Sequence, residues 1–315
     1  MNYTQMRNRE RKHIESTFVN DKRYKKTVEG IYKTAQDNVE KEINNLLTKY
    51  AGEERLSMDV ARRRISTFDV VEHQKKVAQY VDDNQLGGIA EQIINNYNVT
   101  TRTNYLQLLL EDIRLETVNL ADKEVNLLTS RLDSEIRDEM IRQSGIFQVI
   151  QPTPQELRNA VSTIVNADYH NVHFSDRIWR DQHILQNGLD NTISRVLIQG
   201  KNPREGVKDL MKAIDGDFVN KRRAAERIAI TESARVQTAA QDKAFEDIGV
   251  EIVEWVAEPG TKTCDICAGM DGKQFKRVDM FEQEYSIPAH PYCRCSYAGV
   301  VDREKWEQRM RARGL

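Results

Sequence analysis

The sequence predicts a mainly α-helical protein, with a long-helix N-terminal domain followed by a smaller α+β C-terminal domain that carries a Cys/His metal-type knot. Residues 1–150 contain no proline, a residue that helix interiors exclude. Apolar residues recur through this region at helical spacing. Residues 250–256 instead alternate and are rich in β-branched side chains, which favours a strand, and all four cysteines follow between positions 264 and 295.

The composition is that of a charged, helix-rich protein. The 315 residues carry a formal net charge of −2, and 30% of them are charged against 39% that are hydrophobic. The sequence has no run of about 18 apolar residues, so we expect no transmembrane helix. The N-terminus is polar and lacks the apolar segment of a secretory signal, so we expect no signal peptide.

Charge is uneven along the chain, because both ends are basic. Basic ends can contact DNA phosphates. They are equally consistent with a solvated helix face, and both interpretations stay open. The basic residues of the two ends are Arg7, Arg9, Arg11, Lys12, Lys22, Arg23, Lys25 and Lys26, and Arg303, Lys305, Arg309, Arg311 and Arg313.

Four helical segments are predicted before residue 150. The first carries an apolar stripe from Ile31 to Tyr50 and ends at the following Ala-Gly pair. The second and third cover residues 59–82 and 89–97. The fourth, Thr100–Arg142, is the longest candidate, and Ser144-Gly145 is expected to end it. Its predicted buried side is Leu106, Leu109, Leu110, Ile113, Leu120, Leu127, Leu128, Leu132 and Ile136, and its predicted wet side is Glu111, Asp112, Glu116, Lys123 and Glu124.

The predicted domain boundary is Gln151–Pro154, because two prolines in three residues favour an extended hinge. The chain then divides into a helical domain at 1–150, a domain of helices and a small sheet at 151–301, and a basic helical tail at 302–315. Helices are predicted in the second domain at 155–167, from Ser175 to about Gly200, at 207–214 and at 220–248. Beyond the strand at 250–256, a turn at 270–273 leads to a short strand, and Cys293–Val301 is predicted as the last strand.

The four cysteines form two close pairs, which is the spacing of a tetrahedral zinc site. Cys264 and Cys267 are separated by two residues, and His290 precedes the pair Cys293 and Cys295. Five candidate ligands therefore compete for four positions. In an extended segment Cys293 and Cys295 point to the same side, so both can bind the metal, or His290 replaces one of them. Disulfides and reduced structural thiols are the alternatives.

A site with four protein ligands is closed, so we expect a structural metal and no catalytic activity. A general base at His290 in a metal-dependent nuclease is the rival hypothesis, with acidic residues at 265, 271 and 279 nearby in sequence. Turn formation is the commoner role for such aspartates. Thr231, Glu232 and Arg235 share a helix face, and a buried Arg–Glu pair that fastens this helix to the sheet is favoured over an enzymatic role for Glu232.

Five motifs follow one another in the C-terminal half of the chain: the helix Arg227–Arg235, Glu254-Trp255, Thr263–Cys267, Asp271-Gly272-Lys273 and His290–Cys295. Taken as an ordered set, they resemble the Mu F-like minor head protein (head morphogenesis) family of tailed bacteriophages. The resemblance covers about residues 170–300 and says little about residues 1–150. The sequence departs from the expected pattern only at Pro288-Ala289, which affects the local loop.

The resemblance implies a minor capsid protein that is made in the host cytoplasm and resides inside the virion. It implies a role in head assembly near the portal, with contacts to the portal protein, to scaffolding or major capsid protein, and to packaged double-stranded DNA. It implies no membrane. The alternatives are a DNA-binding module that uses the basic termini, and the nuclease centred on His290.

Overall fold

The computed structural model describes residues 3–49, 71, 74–79, 89–90, 92, 105–198, 203–260 and 263–312. The chain forms two compact units, and each is built from separate stretches of sequence. Unit 1 comprises Met1–Lys25, Leu127–Phe174 and Glu226–Leu315, and unit 2 comprises Lys26–Asn126 and Ser175–Ala225. The sequence domains at 1–150, 151–301 and 302–315 stay a prediction.

The described part of the chain is mainly helical, as predicted. The long helices are α1 (Tyr3–Lys49), α2 (Tyr105–Phe147), α4 (Phe174–Ile198) and α5 (Pro203–Ile248), and α3 (Pro154–Val165) is short. Thr153 caps α3, because its hydroxyl accepts from the amide of Glu156 and the Glu156 carboxylate accepts from the amide of Thr153. No helix among the described residues combines the length and the apolar run that crossing a bilayer requires.

Three predictions of helix boundaries are wrong: the start of α4, the division of α5 into two helices and the end of α2. Ser175 was expected as an N-cap but lies inside α4, which begins at Phe174. The helices expected at 207–214 and 220–248 are one continuous helix, α5. The helix continues through the predicted break between 214 and 220 because Ile214 and Phe218, on either side of Gly216, are both buried. Their packing outweighs the cost of about 1 kcal/mol that glycine imposes in a helix interior.

The sequence predicted that helix α2 ends at Ser144-Gly145, but the helix continues to Phe147. The last turn is retained because Ile146 and Phe147 are buried in unit 1. The prediction of the solvent-exposed side of α2 is also wrong in part. Glu111, Glu116 and Glu124 are buried, and every residue from 115 to 122 is buried, so α2 is covered on all sides in this stretch.

The predicted apolar stripe of α1 is confirmed in unit 2, where Ala35, Val39 and Ile43 are buried. Tyr32 continues this stripe and meets Phe218 of α5 edge to face, with the ring centroids 6.5 Å apart. The helices predicted at 59–82 and 89–97 lie almost wholly outside the described residues; the few described positions of these segments are helical.

Unit 1 contains a three-stranded antiparallel sheet in the order β2-β1-β3. Strand β1 is Ile252–Val256, β2 is Gln274–Lys276 and β3 is Ser296–Val300. The short helix α6 (Asp265–Met270) stands between β1 and β2, and α7 (Arg303–Ala312) follows β3. The prediction of one strand over Cys293–Val301 is wrong at its start, because both cysteines precede β3 in a loop.

Both ends of the chain complete the core of unit 1. Met6 of α1 and Trp306 of α7 belong to the same buried cluster as Trp255 and Tyr297 of the sheet. Trp306 also donates a hydrogen bond from its indole nitrogen to the carbonyl of Ile248 over 3.0 Å. The basic tail expected at 302–315 is therefore anchored at Trp306, and the core around the Cys/His cluster depends on residues far from it in sequence.

Candidate metal centre

The first arm of the centre is the start of helix α6. Cys264 is the N-cap of α6 in extended backbone conformation, and its sulfur accepts from the amide of Cys267 at 3.4 Å. Cys267 lies in the first helical turn and is only 2% exposed. The two-residue spacing therefore places both sulfurs along one edge of a common space, as a metal knuckle requires.

The second arm is the loop that precedes β3. The amide of Cys293 donates to the carbonyl of His290 at 3.1 Å, which folds the loop back on itself. Tyr292 adopts the left-handed backbone conformation, with φ at 66°, which is uncommon for a bulky residue. The arm thus repeats the three-residue step of the first one, with His290 and Cys293 in place of two cysteines.

The structure brings all five predicted ligands together around Cys267. The Nε2 atom of His290 lies 3.2 Å from the sulfur of Cys264 and 3.4 Å from that of Cys267. The sulfurs of Cys267 and Cys293 are 4.0 Å apart. Two groups of possible ligands share Cys267, one with Cys264 and His290 and the other with Cys293 and Cys295.

These separations fit the edges of a small tetrahedron. Zinc bound at about 2.3 Å by sulfur and about 2.0 Å by nitrogen separates two sulfurs by about 3.8 Å and a sulfur from a nitrogen by about 3.5 Å. All four cysteines are free thiols, so the structure does not have the disulfides that were the alternative to a metal site. Each of the two groups can offer three ligands to a metal ion with the residues in their present places.

The imidazole of His290 is oriented for metal binding. Its Nδ1 lies 2.8 Å from the carbonyl oxygen of Pro291, a contact in which the ring donates and the carbonyl accepts. This fixes the proton on Nδ1 and leaves the Nε2 lone pair directed at the sulfurs. Burial lowers the pKa of His290, but the Pro291 carbonyl and the nearby sulfurs outweigh it and raise the pKa above its ordinary value.

The three thiols of the second group, Cys267, Cys293 and Cys295, differ in the direction of their pKa shifts. Hydrogen bonds from Cys267 and Cys295 lower the pKa of Cys293, and the same interaction raises the pKa of Cys267. The pKa of Cys295 is also raised: its contact with Cys267 acts downward, but the contact with Cys293 and burial outweigh it. Binding of all three sulfurs as thiolates would place negative charges side by side, which a divalent metal between them would compensate.

The acidic residues near the cluster in sequence are used elsewhere. Asp271 accepts from the amide of Ala257 at 2.8 Å and from Arg7 at 2.5 Å, so it joins the sheet to α1. Asp265 is exposed in the first turn of α6. Within the described residues, the ligand groups that contain His290 or Cys267 consist of Cys and His alone.

Residues 167–298 match the family described as Phage Mu protein F like protein. The predicted resemblance of this segment to the Mu F-like family is therefore confirmed. The family implies a phage head-morphogenesis protein, and it suggests a place in the virion among other virion components. The matched segment is less than half of the 315-residue chain and contains the whole Cys/His cluster. Comparisons with curated proteins and with solved structures give no significant match.

The signature helix of the Mu F-like region, Arg227–Arg235, supports the metal loop. The hydroxyl of Thr231 donates to the carbonyl of Arg227 at 2.7 Å and accepts from the amide of Tyr292 at 3.2 Å. Tyr292 is the residue in left-handed conformation between His290 and Cys293. Thr231 therefore holds the one strained residue of the second metal arm.

The predicted buried Arg–Glu pair exists within α5, and its role in fastening this helix to the sheet stays a prediction. Arg235 donates to Glu232, one turn earlier on the same helix, at 2.6 Å. It also donates to the carbonyl of Ile164 at 3.0 Å, which joins α5 to the C-terminal turn of α3. Gln241 links α5 to the sheet, because its amide nitrogen donates to the hydroxyl of Ser296 at 2.9 Å.

Asp21 fixes the metal loop to α1, a role that no sequence pattern indicates. Its carboxylate accepts from Arg294 at 2.7 Å and from Arg131 at 2.6 Å. The guanidinium group of Arg294 also lies over the ring of Phe18, 5.0 Å from its centroid. Only the fold places a residue at position 21 beside one at position 294.

We expect Thr231→Val to weaken metal binding about tenfold, the lower end of the effect of losing an outer support of a metal ligand. Valine matches threonine in shape but leaves the amide of Tyr292 without its acceptor. Thr231→Ser is the matched control, since it keeps the hydroxyl. Competition with a chromogenic zinc chelator measures the affinity, and equal affinities for the two variants would show that the hydrogen bond is irrelevant to the site.

Proposed function

We propose that the protein is a minor capsid protein of a tailed bacteriophage, with a structural role in head assembly near the portal, and that it is not an enzyme. The family supports the coarser statement, a phage head-morphogenesis protein. The observation that carries the structural role is the position of the Cys/His cluster. Cys267, Cys293 and Cys295 are members of the main buried cluster of unit 1, so the centre is part of the core.

We propose that the metal is zinc and that its ligands are Cys264, Cys267, His290 and Cys293. His290 contacts both sulfurs of the first arm, and Cys293 supplies the fourth position through its 4.0 Å approach to Cys267. The choice of Cys293 over Cys295 rests on the repeated three-residue step, since each arm then offers two ligands along one edge. Cys295 becomes a buried neighbour of the bound sulfurs.

Four protein ligands leave no open position for water or substrate, which supports a structural metal. Its contribution is to join α6 to the loop before β3. Three-stranded sheets of this size bury little surface by themselves, and a metal commonly supplies the missing stability in small units. The closed ligand set also argues against a general base at His290, because its free ring nitrogen is directed at two sulfurs.

We expect one zinc ion per chain in protein purified without chelator, measured by mass spectrometry together with titration of free thiols. Cys293→Ser should lose the metal and lower the melting temperature, because it removes a ligand. Cys295→Ser is the control, since both cysteines are equally buried and only one is a proposed ligand. Retention of zinc in Cys293→Ser with loss in Cys295→Ser would reverse the proposed ligand set.

We propose that the portal protein and scaffolding or major capsid protein are the partners. Quantitative mass spectrometry of purified heads of the encoding phage tests this. A minor capsid protein near one vertex should be present in a few copies per head, far below the major capsid protein. Cross-links to the portal protein should dominate. Absence from mature and precursor heads, or a copy number close to that of the major capsid protein, would contradict the proposal.

We also propose contact with packaged DNA through exposed basic residues of α1. Arg9, Lys12 and Lys22 are exposed, whereas Arg7 and Arg11 form ion pairs with Asp271. Deleting the basic ends is not an informative test, because α1 and α7 supply Met6 and Trp306 to the core. Charge reversal on the surface avoids this difficulty.

We expect the wild-type protein to bind double-stranded DNA weakly and without sequence preference, with an affinity that falls steeply as the salt concentration rises. The double variant Lys12→Glu, Lys22→Glu should abolish this binding. The matched control reverses two exposed lysines outside the basic stretch 7–26, Lys33→Glu further along α1 and Lys243→Glu on α5, whose surface ion pairs contribute little stability. Fluorescence anisotropy with a DNA duplex at two salt concentrations measures both. Binding by the first variant at the wild-type level would exclude this face of α1.

A further inference from the structure

Glu124 is a buried carboxyl group in the middle of unit 2. It lies on α2 and is only 4% exposed. One of its oxygens accepts from the hydroxyl of Tyr32, on α1, at 2.8 Å. Both residues line a cavity of about 10 Å³, room for about one water molecule, whose apolar wall includes Leu120 and Leu185.

The charged groups that face Glu124 do not balance its charge. Asp181 of α4 and Lys221 of α5 line the same cavity, and the Lys221 ammonium lies 3.6 Å from the Asp181 carboxylate. The ammonium group of Lys221 also acts on Asp217 of its own helix. The ammonium group of Lys221 therefore already interacts with two carboxylates, those of Asp181 and Asp217, besides Glu124. An ionised Glu124 leaves an uncompensated negative charge inside the unit.

We propose that unit 2 carries a proton-operated switch, in which the protonated carboxyl group of Glu124 lets the helices around it pack closely and its ionisation loosens that packing. The buried carboxylate then needs further donors. Water enters the small cavity, or Lys221 leaves Asp181 for Glu124. Either response moves side chains of α4 or α5 against α2, in the stretch where α2 is covered on all sides. This inference is independent of the proposed zinc site, which lies in unit 1.

The direction of the pH dependence follows from the surroundings of Glu124. Burial raises its pKa to about 7 from 4.5, the hydrogen bond from Tyr32 opposes this, and the charges of Asp181 and Lys221 act in opposite directions. The folded state thus binds the proton more tightly than the unfolded chain. The stability that Glu124 contributes is present below about pH 4.5 and is lost as the pH rises through about 7.

Hydrogen–deuterium exchange of the full-length protein between pH 5 and pH 8, corrected for the intrinsic pH dependence of exchange, tests the switch. Peptides from 105–126 should lose protection at least about tenfold over this range, because the difference between the two pKa values exceeds two units. Peptides from β1 and β3 in unit 1 serve as the internal reference. Glu124→Gln keeps the shape and the hydrogen bond from Tyr32, and it should remain protected at every pH.

Neighbouring substitutions should move the midpoint of this transition in opposite directions. Asp181→Asn removes a negative charge, so the midpoint should fall. Tyr32→Phe removes a donor that favours the carboxylate, so the midpoint should rise. Lys221→Met removes the nearby cation and should also raise it.

A spectroscopic measurement on the wild type makes the proposal testable even where a variant does not fold. Infrared difference spectra should show the band of a protonated carboxyl group at pH 5.5 that is lost by pH 8.5. Loss of that band at the ordinary pH of a solvated glutamate would overturn the proposal. An unchanged pH dependence of exchange in Glu124→Gln would overturn it as well.

Discussion

The convergence of the start of α6 and the loop before β3 on the sulfur of Cys267 is the constraint on which unit 1 depends. Cys267 is contacted by His290 and Cys293 from that loop, and its amide donates to the sulfur of Cys264. Both segments adjoin strands of a sheet that has only three short strands. The cluster therefore joins segments that a small sheet cannot hold by apolar contact alone, and the conformation of Tyr292 and its hydrogen bond to Thr231 follow from this closure.

Paired buried charges in unit 1 join α1 to α2 and to β3. Glu10 of α1 accepts from both terminal nitrogens of Arg142, at 2.9 and 2.8 Å, and from the hydroxyl of Ser296 at 3.2 Å. Removing one member of such a pair leaves an uncompensated buried charge, which is strongly destabilising. This network selects one docking position for α1 against α2 and β3. It explains why residues outside the Mu F-like region are part of the unit that contains the metal centre.

Two buried glutamates, Glu139 in unit 1 and Glu124 in unit 2, respond differently to burial. Burial alone would raise the pKa of Glu139, but the charge of Arg142 outweighs it and lowers the pKa. Glu124 has a tyrosine hydroxyl where Glu139 has a guanidinium group, and its pKa is raised. A hydrogen bond from a neutral donor does not replace a counter-ion at this depth. The partner of each carboxyl group therefore decides whether it stays an anion or titrates.

The sequence by itself determined the helical class, the apolar stripe of α1 and the five residues of the Cys/His cluster. Each of these is a local pattern of composition or spacing, and local patterns survive in any fold that uses them. The tertiary structure alone decided the rest. Packing of Ile214 and Phe218 made α5 continuous, and complete coverage of α2 buried Glu111, Glu116 and Glu124 on the side expected to be wet. It also placed Asp21 against Arg294 and Glu10 against Ser296, because pairings across more than 270 residues leave no periodic trace in the sequence.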